Sequence, residues 1–163
     1  MNLSGGQVTP KTLQHAVFTQ AFINEVLRLR HVVDMMVPRQ LLTDVRLPDG
    51  KIMPAGMQFI IDLGAIHREN HFADPLKFDP YRFIDQETGD LTGTSERRGF
   101  IPFGAGRRNC VGRGFAIQML KIALFRVSSS LRIENIENNV ENHMEGVSWK
   151  PKTNSLKQKF TVF

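Results

Sequence analysis

The sequence predicts a mainly α protein with small antiparallel β-sheets, an α+β class, and three observations carry that expectation. Apolar residues recur at helical spacing over Thr12–His31 and again over Val111–Ser128. Between them the period shortens to β-type runs punctuated by Pro48-Asp49-Gly50 and Pro54-Ala55-Gly56, both of which are turn chemistry. A length of 163 residues with 41% hydrophobic content is one domain's worth and can fill one core.

Residues 1–10 are polar and Gly-rich, close on Pro10, and read as loop, with Thr9 a loop residue or helix cap. The first helix follows, with Val17, Ala21, Phe22, Val26 and Leu29 near one face. Glu25 and Arg28 are three apart on it and therefore neighbours on its surface. By spacing alone such a pair is a solvated ion pair worth a few tenths of a kcal/mol. Val32 to Ile66 carries short strands around Val45–Leu47, Lys51–Met53 and Met57–Asp62, read as one small antiparallel sheet. His67 to Asp85 reads as irregular, because Pro75 and Pro80 break helix.

His67 and His71 are four apart and invite a metal reading. No further ligands follow at suitable spacing, and Asn70 and Pro75 argue against a helix presenting the pair, so no metal is expected there. Gln86 to Gly99 is polar and reads as a flexible surface loop. After the second long helix, the segment from Arg132 to Gly146 is a hydrophilic connector. Val147–Phe163 reads as a terminal β-hairpin turning at Pro151 and Asn154.

Charge and cysteine usage narrow the functional classes. The net charge is +5, but the 21 Lys and Arg are scattered rather than gathered in a stripe and no nucleic-acid motif accompanies them, so no nucleic-acid partner is expected. One cysteine allows no internal disulfide, which agrees with a reducing compartment. No run of about 18 apolar residues occurs, and the N-terminus lacks an apolar signal core, so the chain itself is expected to carry no anchor.

That single cysteine, Cys110, lies in the stretch FGAGRRNCVG, Phe103 to Gly112. A lone cysteine is ordinarily a small buried hydrophobe. Here Pro102, Gly104 and Gly106 force a loop and a helix follows, so the sulfur stands at a helix N-terminus beside Arg107 and Arg108, where thiolate is favoured over thiol. Phe103, Gly106, Arg108, Cys110 and Gly112 at these offsets would coincide by chance in roughly one of tens of thousands of chains this long. Each has a physical task. Phe103 can cover the sulfur, Gly106 can permit a turn aiming backbone N–H groups at it, and Gly112 can leave room for a flat macrocycle.

The stretch resembles the haem-binding loop of the cytochrome P-450 family, F-x-x-G-x-R-x-C-x-G, with every fixed position present. Glu25-x-x-Arg28 matches the family's E-x-x-R, and Asp79-Pro80-Tyr81-Arg82-Phe83 resembles its P-x-R-F segment. The resemblance spans roughly Leu13 to Phe163 and implies the C-terminal part of that fold, residues 1–163 forming a single partial domain. It implies Cys110 as axial ligand of haem b iron, with Arg108 and Arg39 pairing with the propionates and Val33 to Val37 facing the substrate pocket. Glu25, Arg28 and Arg82 would be a structural cluster, one carboxylate shared by two guanidinium forks.

For the whole protein the resemblance implies a monooxygenase acting on an apolar small molecule. It would receive electrons from an NADPH-dependent reductase and sit at the endoplasmic reticulum membrane through an N-terminal anchor not in this chain. The family's acid–Thr helix for oxygen activation has no match, since no acid precedes Thr9. By itself the chain is therefore expected to catalyse nothing and to bind haem weakly or not at all. A peroxide-rearranging haem-thiolate enzyme shares these motifs and is the alternative reading.

Overall fold

The computed structural model describes residues 9–69, 72–92, 99–135, 142–145, 148–151 and 158–162. Thr9 caps the first helix, α1 (Pro10–Gln14): its hydroxyl accepts from the Thr12 amide at 3.2 Å while Thr12 Oγ1 accepts from the Thr9 amide at 2.9 Å. Two donors that a helix start leaves orphaned are met reciprocally. The single helix expected over Thr12–His31 is broken at His15 and Ala16, and a second, α2, runs Val17–Leu29. The break leaves carbonyls of α1 without intrahelical donors, and the ammonium of Lys121 donates to that of Leu13 at 3.1 Å.

The buried face of α2 also differs from expectation. Ala21, Ile23, Asn24, Glu25, Leu27 and Arg28 are buried, while Phe22, Val26 and Leu29 are half-buried. Hydrophobic periodicity could not place a charged pair inside, because its partners come from segments far along the chain.

The expected single sheet is two separate ladders. β1 (Arg39–Gln40) pairs antiparallel with β4 (Gln58–Phe59), and β2 (Val45–Arg46) pairs with β3 (Ile52–Met53). The segment expected to be irregular from His67 onward begins inside a helix, α3 (Leu63–Arg68), whose N-cap Asp62 accepts the Ala65 amide at 2.8 Å. A 3-10 turn, Pro80–Phe83, is capped by Asp79, which accepts the Tyr81 amide at 3.1 Å. The described part of the expected flexible loop is an ordered turn: the Asp85 carboxylate accepts the Glu87 and Thr88 amides, both at 2.9 Å, and Ile84 bridges Leu91. Residues 93–98 lie outside the described set, as do His71 and Asn154.

α4 (Arg113–Ser130) is the second long helix. Beyond it the strands pair differently from the expected terminal hairpin. β5 (Leu131–Asn135) pairs with β8 (Gln158–Val162), and β6 (Asn142–Glu145) pairs with β7 (Ser148–Pro151). The register explains the choice. It sets Leu131 opposite Val162 and Ile133 opposite Phe160, and brings Lys159 to 3.9 Å from Glu134. The hydrophilic connector thus contains strand residues, Arg132–Asn135 of β5 and all of β6.

Among the described residues one apolar cluster joins Ala21, Phe72, Phe83 and Phe100, with Ile84 and Leu91 packed against it, and Leu13, Ile23, Leu27 and Leu63 are buried besides. The largest fully buried side chains include Arg28, Glu25 and His67 beside Phe83, so charge and hydrogen bonding hold much of this interior. Arg28 binds the Glu25 carboxylate with two prongs, Nε to Oε2 at 2.7 Å and NH2 to Oε1 at 2.9 Å. Arg82 Nε donates to Oε1 at 3.1 Å, and the Asp79 amide adds a fourth bond at 2.8 Å.

Two guanidinium groups, the buried Arg28 and the half-buried Arg82, face one buried carboxylate and leave one excess positive charge. Backbone carbonyls offset it. Arg28 donates to those of His67, Pro75 and Lys77, and Arg82 to those of Ala73, Asp74 and Lys77. The Phe72 ring lies 5.0 Å from the Arg28 guanidinium carbon and adds a cation–π contact. Glu25→Ala removes the only anion of the set and strands the buried Arg28 and the half-buried Arg82. Denaturant unfolding should show a loss of about 3–5 kcal/mol. A loss no larger than that of an exposed pair, about 1 kcal/mol or less, would remove the cluster from its supporting role.

Candidate functional site

The cysteine loop leaves the core at Phe100 and returns to it through α4. Phe100 is buried, with its ring 4.8 Å from Phe83 and 5.6 Å from His67. The chain then turns outward: Ile101 to Gly104 are half-buried, and Ala105 to Val111 are exposed. Two glycines make the turn possible. Gly104 has φ +76 and Gly106 φ +70, backbone that side chains rarely adopt, and a Cβ on Gly104 would also come within 3.0 Å of the Met36 methyl. Gly104 to Ile101 O at 2.9 Å, Asn109 to Gly106 O at 3.2 Å and Cys110 to Phe103 O at 2.8 Å close the loop.

Cys110 is a free, exposed thiol two residues before the N-cap of α4. The amides of Asn109 and Cys110 are taken by carbonyls, so these two are not aimed at the sulfur as the sequence suggested for the Gly106 turn. Phe103 is half-buried and serves the sulfur's position through its carbonyl. A Cβ on Gly112 would lie 3.8 Å from the Cys110 sulfur, an ordinary contact, while one on Gly106 or Gly114 would meet nothing within 4 Å. The surface near the sulfur is thus open where glycines lie.

Arg39 and Arg108, singled out separately in the sequence, meet in space. The Arg39 guanidinium, on β1, donates to the Arg108 carbonyl at 3.4 Å across 69 residues. Arg39 is half-buried rather than a fully exposed strand residue, and the Arg108 side chain is exposed. An accessible thiol, two arginines tied to its loop and a glycine-cleared surface suit a flat, dianionic macrocycle bound through sulfur. The donor set fits a haem. A cleft of about 590 Å³ opens behind the loop, lined by Gln20, Asn24, Phe103, Asn109 and Ile117 among others; Cys110 does not line it.

His67 was considered in the sequence only as a metal ligand. Among the described residues no group of three or more His, Cys, Asp or Glu is placed to hold a metal ion. Instead the fully buried His67 ring accepts the Ile101 amide on Nε2 at 3.2 Å. Its other face meets His31, 6.0 Å away between ring centres, and His31 pairs through Nε2 with Asp34. Burial, then the nearby charges of His31 and Arg28, push the His67 pKa down from 6.5 to about 4. No sequence signal marked this role, because it depends on a backbone amide 34 residues away.

Fold and loop together define a class: a helical protein with small sheets that presents one accessible thiol at a helix entrance and holds a buried carboxylate shared by two arginines. The family described as Cytochrome P450 matches residues 3–158. The chain is 36% identical over 139 residues to probable cytochrome P450 313a3 of Drosophila melanogaster, covering 80% of this chain and 27% of that protein. It is 30% identical over 156 residues to cytochrome P450 CYP82J17 of Trigonella foenum-graecum, covering 95% and 28%. To human cytochrome P450 4Z1 it is 36% identical over 121 residues, covering 74% and 23%. The chain belongs to the cytochrome P450 family and spans about a quarter of the length of these relatives.

The depressed His67 pKa sets a pH dependence. Between about pH 4 and 6.5 the unfolded chain binds a proton at His67 that the folded chain does not, so folding stability falls as pH falls through this window. Its contribution is complete above pH 6.5 and lost below about 4. Denaturation midpoints measured from pH 7 to 4 should decline for the parent and decline less for His67→Gln; equal slopes would refute the buried neutral histidine.

Proposed function

We propose that this chain supplies the thiolate side of the haem site of a monooxygenase that inserts one oxygen atom of O2 into an apolar small molecule. The observation that carries the reading is an exposed Cys110 on a loop shaped by Gly104 and Gly106 at the entrance of α4. Haem b, when bound through a cysteine thiolate, supplies the oxygen chemistry, because sulfur electron density favours O–O cleavage.

The chain's own residues bind and orient. Cys110 donates its sulfur. Arg108 and Arg39, already joined through the Arg108 carbonyl, place positive charge for the two propionates. The half-buried Phe103 limits water near the sulfur, Gly106 sets the turn, and Gly112 keeps the helix entrance narrow enough for a ring to approach. Glu25, Arg28 and Arg82 act at a distance, by fixing the ground on which the loop stands.

Electrons for the reaction come, in this reading, from an NADPH-dependent reductase of the P-450 type, and the protein resides at the endoplasmic reticulum membrane. None of the described helices is long and apolar enough to cross a membrane. Residues 1–163 are one part of a larger domain, and Val33 to Val37 contribute to the substrate pocket.

The decisive experiment is spectroscopic. Haem-loaded protein, reduced and exposed to carbon monoxide, should give the red-shifted band characteristic of thiolate ligation, and Cys110→Ala should abolish it. An unchanged band in Cys110→Ala would place the ligand elsewhere. Arg108→Ala and Arg39→Ala should each weaken haem retention by roughly tenfold, the worth of one charge-assisted hydrogen bond, as followed by haem transfer to apomyoglobin. Retention unchanged in both would remove the propionate assignment.

A further inference from the structure

The cysteine loop is exposed for most of its length, yet its use as a ligand demands a fixed sulfur. Its turns are closed by its own backbone: Gly104 to Ile101, and Cys110 to Phe103. Such internal bonds shape the loop but do not fasten it to the protein. Near its tip the loop is held by one long bond from the Arg39 guanidinium to the Arg108 carbonyl, at 3.4 Å and exposed; at its stem the Ile101 amide bonds to a side chain, His67.

We propose that His67 is the positioning residue that ties the ligand loop to the buried charge cluster. The inference rests on the reading of Cys110 as haem ligand and adds a residue to that site. One residue makes both attachments. Its ring nitrogen Nε2 accepts the Ile101 amide at 3.2 Å, and its main-chain carbonyl accepts Arg28 NH1 at 2.9 Å. Arg28 in turn is locked to Glu25 through two bonds. The path from carboxylate to loop stem therefore runs Glu25, Arg28, His67, Ile101, with a hydrogen bond at every step between side chains or backbone.

The imidazole is chemically suited to this task. An amide can only donate, so Nε2 must carry a lone pair and the ring must be neutral with its proton on Nδ1. Complete burial, with Arg28 and Arg68 near the ring, disfavours the imidazolium that would turn Nε2 into a donor facing a donor. Nδ1 is buried and meets no hydrogen-bond partner, so beyond Nε2 the ring is placed by packing. It is carried on α3, whose start Asp62 caps, and it is held between the rings of His31 and Phe100. His31 is fixed in its turn by Asp34. Phe100, the residue before the tethered amide, is clamped by Phe83, which adjoins Arg82 of the cluster. Apolar packing orients the stem, and the one hydrogen bond sets its height.

His67→Phe and His67→Gln separate tethering from mere core filling. Phe keeps a ring against Phe100 and removes the acceptor; Gln places an amide oxygen near the position of Nε2. In the protein bearing His67→Phe, hydrogen exchange at the Ile101 amide should quicken by about tenfold relative to amides in the middle of α4, as expected for loss of one buried bond. After haem loading, the thiolate-type carbon monoxide band should fall in favour of the blue-shifted band of a lost thiolate. His67→Gln should restore most of both readouts. Ile101 exchange in His67→Phe equal to that of the parent would overturn the proposal.

Should His67→Phe fail to fold, the unsubstituted protein still decides the matter. Labelled with nitrogen-15, it should show an unprotonated His67 Nε2 coupled through the hydrogen bond to the Ile101 amide. A protonated Nε2 with no such coupling overturns the proposal. Loss of the haem reading leaves a distinct mark, because the parent would then lack the thiolate band while the coupling persisted.

Discussion

A single carboxylate sets the terms for this structure. Glu25 has no exposure, and four hydrogen bonds converge on its two oxygens from Arg28, Arg82 and the Asp79 amide. An ion pair inside a protein is weak support unless every remaining donor and acceptor is met. Here they are met by the carbonyls of His67, Ala73, Asp74, Pro75 and Lys77, which turn toward the two guanidinium groups. All of these but His67 lie outside the helices and strands. The arginines stand in for a ladder, donating to carbonyls that secondary structure would otherwise have paired.

The reactive loop inherits this order. Phe100 packs on Phe83, one residue beyond Arg82, and the Ile101 amide meets His67, whose carbonyl already binds Arg28. A glycine-rich turn would by itself be a poor platform for a metal ligand, since glycine allows more conformations than any other residue. Gly104 and Gly106 are tolerable because both ends of the loop are anchored, one in the aromatic core and one in an eighteen-residue helix.

What could be read in advance followed the range of the interactions. The Cys110 loop, α4, the turns at Gly50 and Gly56 and the cap at Thr9 are local, written in residues that neighbour each other, and the sequence showed them. Glu25 and Arg28 were visible as a surface pair and matched a family motif, but their burial depends on carbonyls as far away as Lys77, which no side-chain pattern announces. For the same reason α2 buries a polar face where periodicity favoured Phe22 and Val26. The C-terminal pairing was missed because Leu131–Asn135 looked too polar for a strand until set against Phe160 and Val162. His67 was conspicuous for its residue type, and the motif it suggested, a metal pair, had nothing to do with its bonds.

The pairing of β5 with β8 has a consequence for the order in which the fold can be completed. α4 passes directly into β5 at Leu131, and the partner of that strand is residues 158–162. During synthesis the far end of α4 therefore stays unfastened until residues 158–162 have been made. A clip or premature stop that removed them would leave Leu131–Asn135 as an unpaired edge, with Ile133 half exposed even in the finished sheet. Such an edge invites strands from other copies. Residues 158–162 thus cover an edge that strands of other copies could otherwise join.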